Sequence, residues 1–233
     1  MAEAIRIGDP AIEIHLRRNA RARRMVLRVA HTGAGPTLTL PPGVSIGRAR
    51  AFLSDHEGWL RQRMAACPPT AQVGAGMVLP FGDGTLTIEA GGATTMLQRP
   101  GVLGVAGPAE VQTVRIAAWL REEARRACVA AVDRHAAALG ARPGRISLRD
   151  PRARWGSCTA TGDLMFSWRL VMAPAAVLDY VVAHEVAHLA EFNHSRRFWT
   201  VVERLCPGFG ASRDWLRRKG PELHRLDFGR RAA

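Results

Sequence analysis

The chain has 233 residues, with 33 Lys or Arg against 20 Asp or Glu, a formal charge of +13. At 47% hydrophobic residues it is too apolar to be disordered throughout, and long enough for one sizeable domain or two small ones. No stretch approaches the roughly 20 apolar residues of a spanning helix, no apolar signal core follows the first residues, and the four cysteines lie far apart without a CxxC pair, which argues against a disulfide framework.

A reducing cytoplasm is therefore the expected compartment, with no membrane contact. Lys219 is the only lysine, so the basic excess is arginine. Such an excess suits a polyanionic partner such as nucleic acid, and the base composition of a genome produces it equally well.

Taken in order, Ile12, Ile14 and Leu16 alternate as a strand, Val26 to Val29 form a second and Thr37 to Leu40 a third, ended by Pro41-Pro42-Gly43. Arg17, Arg18, Arg21, Arg23, Arg24 and Arg28 crowd the first turn and its flanks, where a solvated face is expected. Ser45 is placed to cap a helix running to about Ala66, with Ile46, Ala49, Phe52, Leu53, Trp59, Leu60 and Met64 on one side, stopped by Pro68-Pro69. Short strands follow, with a tight turn at Gly82-Asp83-Gly84. Gly101 to Glu110 reads as a linking segment, which divides the chain into residues 1–106, β-rich with one helix, and 107–233.

The second block opens with a long helix, about Val111 to Leu139, closed by Gly140. Strands are expected at Arg145 to Arg149, Arg154 to Cys158 and Leu164 to Trp168, with a turn at Thr161-Gly162-Asp163. Pro174 starts a helix to about Phe192, and two shorter helices cover Ser195 to Leu205 and Ala211 to Arg218. The class is mixed α+β, without βαβ repeats, a P-loop or a GxGxxG segment.

The sharpest chemical signal is His184-Glu185-Val186-Ala187-His188. Histidines four apart lie one helical turn apart on one face and can reach one ion, and the glutamate between them is placed to take a proton from metal-bound water. His194 follows with the spacing of a third ligand, although Glu191 stands where the HExxHxxGxxH pattern has glycine. The helix is expected to break near Asn193, which tolerates a left-handed cap, and Ser195 to cap the next helix. Glu203 is the rival third ligand and reads equally well as a solvated residue beside Arg204; Glu191 reads as solvated, with its carboxylate as a partner of a ligand imidazole the alternative. His15, His31, His56, His135 and His224 have no ligand spacing and are assigned to the surface. Three protein ligands leave a fourth position on one Zn2+ ion for water, which is the logic of a hydrolase with Glu185 as catalytic base.

Around this group, Arg152-Ala153-Arg154-Trp155-Gly156-Ser157-Cys158 marks a strand end that borders a cleft. Arg152, Arg154 and Ser157 are candidates to contact substrate or a developing oxyanion; structural pairing with an acid explains the arginines as well. Tyr180, one turn before His184, is a further candidate, with packing as its plain alternative. Trp155 and Cys158 read as packing near the site.

These stretches (RWGSC at Arg154 to Cys158, FSWRLVMAP at Phe166 to Pro174, LDYVVAHEVAHLAEFNHSRRFW at Leu178 to Trp199, and more weakly DWLRR at Asp214 to Arg218) resemble the YgjP-like (DUF45) family of zinc metallohydrolases, related to the SprT and WLM metallopeptidases. The resemblance extends over essentially the whole chain. It implies a zincin-like catalytic domain with the HExxH helix and a small sheet, preceded by a β-rich region, with His184, His188 and His194 on zinc and Glu185 as base. The family usually carries asparagine where Ser167 stands, and the shorter hydroxyl is expected to bond locally.

Three functions follow as expectations. The first is an intracellular zinc metallopeptidase, binding an extended peptide along an edge strand. The second is a nucleoside triphosphate phosphohydrolase of pyrophosphatase type, for which arginines would converge on a closed pocket. The third is a nucleic-acid-binding protein with structural zinc, against which an intact Glu185 argues, or its variant, a peptidase for DNA-associated proteins anchored by its basic surface. The oligomeric state is not legible in the sequence.

Overall fold

A computed structural model describes residues 3–29, 35–65 and 70–229. His31, Cys67 and the Pro68-Pro69 stop lie outside the described residues. The chain forms two compact units, Met1–Thr70 and Ala71–Ala233.

In the first unit, β1 (Ala4–Ile7), β2 (Ile12–Arg18), β3 (Val26–Arg28) and β4 (Thr37–Leu40) form one sheet in the order β1-β2-β4-β3. β2 runs parallel to β4; the other two pairings are antiparallel. Alternation places Ile5, Ile7, Ile12, Ile14, Leu38 and Leu40 on one buried face, and each such side chain contributes about 1.5–3 kcal/mol on burial. They pack on Ala49 and Leu53 of α1 (Ile46–Asp55) and Leu60 of α2 (Glu57–Ala65).

Ser45 caps α1 as its position suggests, its Oγ accepting from the Arg48 N–H at 3.2 Å. The single helix expected from Ser45 to Ala66 is, however, two. The His56 N–H closes on the Leu53 carbonyl and its ring stacks on Phe52, which ends α1 before α2 begins. Trp59, read as part of the apolar side, is 46% exposed. The six arginines of the first turn and its flanks are exposed, as expected of a solvated face.

The second unit starts at β5 (Ala71–Gln72), earlier than the expected boundary at residue 106. Its first sheet has the order β6-β7-β9-β8, from β6 (Val78–Phe81), β7 (Gly84–Ala90), β8 (Met96–Arg99) and β9 (Val102–Val105). The expected linker thus contains a strand, buried at all four positions. Leu79, Leu86, Ile88 and Leu103 pack on Ile116 and Leu120 of α3 (Ala109–Leu139), and this shared core makes the sheet part of the second unit. The turn at Gly82-Asp83 joins β6 to β7, with Gly82 at φ +55°.

α3 ends at Gly140, left-handed at φ +69°. Its buried stripe includes Cys128, whose thiol is pushed up to about 12 by burial, and His135. Far from being a surface residue, His135 is 4% exposed and its Nε2 lies 2.8 Å from the Asp179 carboxylate, which also pairs with Arg134. β10 (Ile146–Arg149), β11 (Gly156–Cys158) and β12 (Leu164–Ser167) form a second sheet in the order β10-β12-β11, with the expected turn at Gly162. After a 3-10 turn at Trp168–Met172 come α4 (Ala175–Ala187), α5 (Arg196–Leu205), α6 (Gly210–Leu223) and β13 (Leu226–Asp227), which pairs with β5.

Asp83 ties the first sheet to α4, its Oδ1 accepting from the Ala175 N–H at 3.1 Å. This acceptor serves a helix start whose own cap, Pro174, provides none. Ser167, expected to bond locally, is fully buried and its Oγ has no partner. Among the described residues no helix is long and apolar enough to cross a membrane.

Candidate metal centre

α4 carries His184 and Glu185 in its last turn and ends at Ala187, with His188 as its C-cap. The helix stops about one turn before the expected Phe192. Asn193 is not left-handed, since among the described residues no residue other than glycine has a positive φ. The chain turns instead through Leu189 and Ala190, whose N–H groups return to the carbonyls of Val186 and Ala187. The Asn193 Oδ1 then accepts from the Ser195 N–H at 3.0 Å, while the Ser195 hydroxyl makes no cap bond. The consequence is the expected one: His194 faces back to the pair.

The ligand atoms of His184, His188 and His194 all lie within 4.8 Å of one another. The Nε2 atoms of His184 and His194 are 3.1 Å apart. Two nitrogens on one tetrahedral zinc, each at about 2.0–2.1 Å, lie about 3.3 Å apart, so this spacing suits a shared cation. The His188 Nδ1 is 3.1 Å from the Glu191 carbonyl; donating there fixes the tautomer that leaves Nε2 as a ligand. Burial, reinforced by the neighbouring imidazoles, lowers His184 to about 4, which keeps it neutral at pH 7, the form that ligates a metal. The three rings therefore fit a zinc ion.

The two rival roles go elsewhere. Glu203 is outside the cluster, its Oε1 accepting from the Gly208 N–H at 3.0 Å. It is Glu191's backbone, not its carboxylate, that holds His188.

Glu185 is 6% exposed. Burial pushes its carboxyl up to about 7, and the positive charge of Arg154 opposes the rise. The carboxylate lies over Gly156 of β11. Arg154 and Tyr180 are thus brought to the site, Tyr180 with its ring centroid 6.0 Å from that of His184. Ser157 is half-buried in β11, opposite Met165. Cys158 is no ligand; its thiol is raised chiefly by burial, with the charges of Glu185 and Asp163 adding. Arg152 lines a different cavity of about 740 Å³, together with Arg121, Arg125 and Arg149.

The supporting residues were not singled out from the sequence. Phe198 of α5 is fully buried, and its ring lies 4.9, 4.5 and 4.7 Å from those of His184, His188 and His194. Trp199 lies 5.7 Å from His184 and 5.9 Å from His194. The only trace of this in the sequence is an aromatic pair one turn beyond His194, within a helix that reads as ordinary amphipathic packing.

The chain is matched over residues 23–219 by the family model described as YgjP-like, metallopeptidase domain. Among solved structures, the metallopeptidase zymogen of Pyrococcus abyssi abylysin is similar at 22% identity and a TM-score of 0.37, over 42% of this chain and 97% of that one. No curated protein matches.

Proposed function

Given that the chain belongs to the YgjP-like metallopeptidase-domain family, we propose that it is a zinc-dependent metallopeptidase of zincin-like fold with Glu185 as catalytic base. The carrying observation is the convergence of three imidazoles beside a buried carboxyl raised to about 7. A base is most effective when its pKa lies near the working pH.

His184, His188 and His194 would hold one zinc ion, which when bound supplies Lewis acidity toward water and a substrate carbonyl. Glu185 takes a proton from the attacking water at its carboxylate and returns it to the leaving amine. Arg154 favours the ionised carboxylate, so the base is replenished near neutral pH. Tyr180, buried beside His184, would stabilise charge on the carbonyl oxygen.

β11 supports a peptide over a small substrate. It is the outer strand of its sheet, paired on one side with β12, and the Glu185 carboxylate lies against its Gly156. An extended chain added to that edge would run past the catalytic base.

The test is a peptide-library digest read by mass spectrometry, with zinc-loaded wild type beside Glu185→Gln. New peptide termini made only by the wild type support the proposal. Absence of cleavage at full zinc content, with Glu185-dependent release of phosphate or pyrophosphate from nucleoside triphosphates, would replace it by a phosphohydrolase.

A further inference from the structure

α6 brings a cation to the metal centre that the HExxH pattern does not contain. The Arg213 guanidinium lies 4.7 Å from the centroid of Trp199. Trp199 stacks on Phe209 at 5.4 Å and 17°, and Phe209 stacks on Tyr180 at 5.5 Å and 7°. The result is a ladder of planar groups, Tyr180, Phe209, Trp199 and Arg213, along one wall of the site. Its first member meets His184 edge-on, and its third touches both His184 and His194.

Among the described residues no acidic side chain pairs with this cation: no carboxylate lies within 4.0 Å of Arg213, and the adjacent Asp214 pairs with Arg217 instead. Arg154 differs, since its charge already acts on the Glu185 carboxylate. Both arginines are exposed, so a ligand reaches them. Stacking on an aromatic face restrains a guanidinium and strips part of its hydration, yet leaves the in-plane N–H fork available. That fork matches one planar carboxylate by paired, charge-assisted hydrogen bonds.

We infer that Arg213, seated on Trp199, binds a substrate carboxylate next to the scissile bond. The enzyme then prefers peptides that carry an acidic side chain or a free C-terminus at that position. The inference rests on the peptidase reading, and two arginines flanking an otherwise aromatic site are what it adds. A guanidinium fork also binds phosphate oxygens in pairs, so pyrophosphate is the competing probe.

The test measures peptide binding to zinc-loaded Glu185→Gln by calorimetry, so that it does not depend on turnover. Matched peptides differ only in carrying Asp or Asn beside the bond, or a free or amidated C-terminus. The carboxylate form should bind about tenfold tighter or more, as expected for a hydrogen bond to a charged group. Adding Arg213→Gln should abolish that difference, and Arg213→Lys should restore part of it. In wild-type turnover, Arg213→Gln should raise KM for the acidic peptide with kcat little changed.

Preference for the side chain marks an endopeptidase and preference for the free C-terminus a carboxypeptidase; either supports the inference. Equal binding of acid and amide forms, or a preference that survives Arg213→Gln, would overturn it. So would Arg213-dependent binding of pyrophosphate without any of acidic peptides. Cleavage without acid preference sinks this inference alone. Arg213-dependent carboxylate binding with no cleavage sinks the peptidase reading alone.

Discussion

The Glu185 carboxylate lies directly over the Cα of Gly156. A Cβ built on Gly156 would stand 2.6 Å from Glu185 Oε1 and 2.8 Å from Cδ. The backbone there is not left-handed, since Gly156 is absent from the positive-φ glycines, so its side-chain-free face, not its conformational freedom, is what the site uses. Gly156→Ala should therefore displace the base without unfolding β11. Activity should fall about 10²-fold or more, the scale of a general base's contribution, with zinc content unchanged. A Gly156→Ala enzyme as active as wild type would remove Glu185 from that role.

Phe198 touches all three imidazoles from a fully buried position. Phe198→Ala should cost about 3–5 kcal/mol of stability through transfer and cavity terms. Zinc affinity should also fall, because the rings lose their common support. Phe198→Leu, which keeps most of the volume, should recover stability before affinity. Denaturant melts and competitive zinc titration check the two effects separately.

Ser167 offers the opposite case. Its hydroxyl is buried without a partner, and an unmade hydrogen bond in the interior costs about 1–3 kcal/mol. Ser167→Ala should leave the protein as stable or up to about 1 kcal/mol more stable, with zinc content unaltered. A clear loss of stability in urea unfolding would show that the hydroxyl is satisfied in solution.

Burial holds His224 down at about 4, with the charges of Arg169 and Arg152 adding and that of Asp150 opposing. Its ring lies 4.9 Å from that of Trp155. The unfolded chain binds this proton near pH 6.5 and the folded chain only near 4, so between these values the unfolded state carries more protons. The contribution of His224 to stability should thus decline as pH falls from about 6.5 to 4. His224→Gln should flatten that part of the profile, seen as a smaller loss of melting temperature between pH 7 and 5.

The three-histidine cluster is legible in the sequence because its constraint is local. Residues 184, 188 and 194 are fixed by one helical turn and one short connection, and spacing alone carries such information. The end of α4 is not legible because turns at Leu189 and Ala190 close it, without the glycine or left-handed residue a sequence advertises. β9 reads as a linker because Gly101, Gly104 and Gly107 look like punctuation, whereas Gly104 lies beside Gln98 of β8, where a Cβ would meet the side chain at 2.1 Å. The wall formed by Phe198, Trp199, Phe209 and Arg213 depends on how α5 and α6 pack against α4, and no periodicity within one element encodes that.

The most direct test measures zinc content and peptide cleavage side by side in wild type, His194→Ala, Glu203→Ala and Glu185→Gln. The account predicts one zinc and cleavage in wild type and in Glu203→Ala, little zinc and no cleavage in His194→Ala, and full zinc without cleavage in Glu185→Gln. Loss of zinc in Glu203→Ala but not in His194→Ala, or wild-type cleavage by Glu185→Gln, would contradict it.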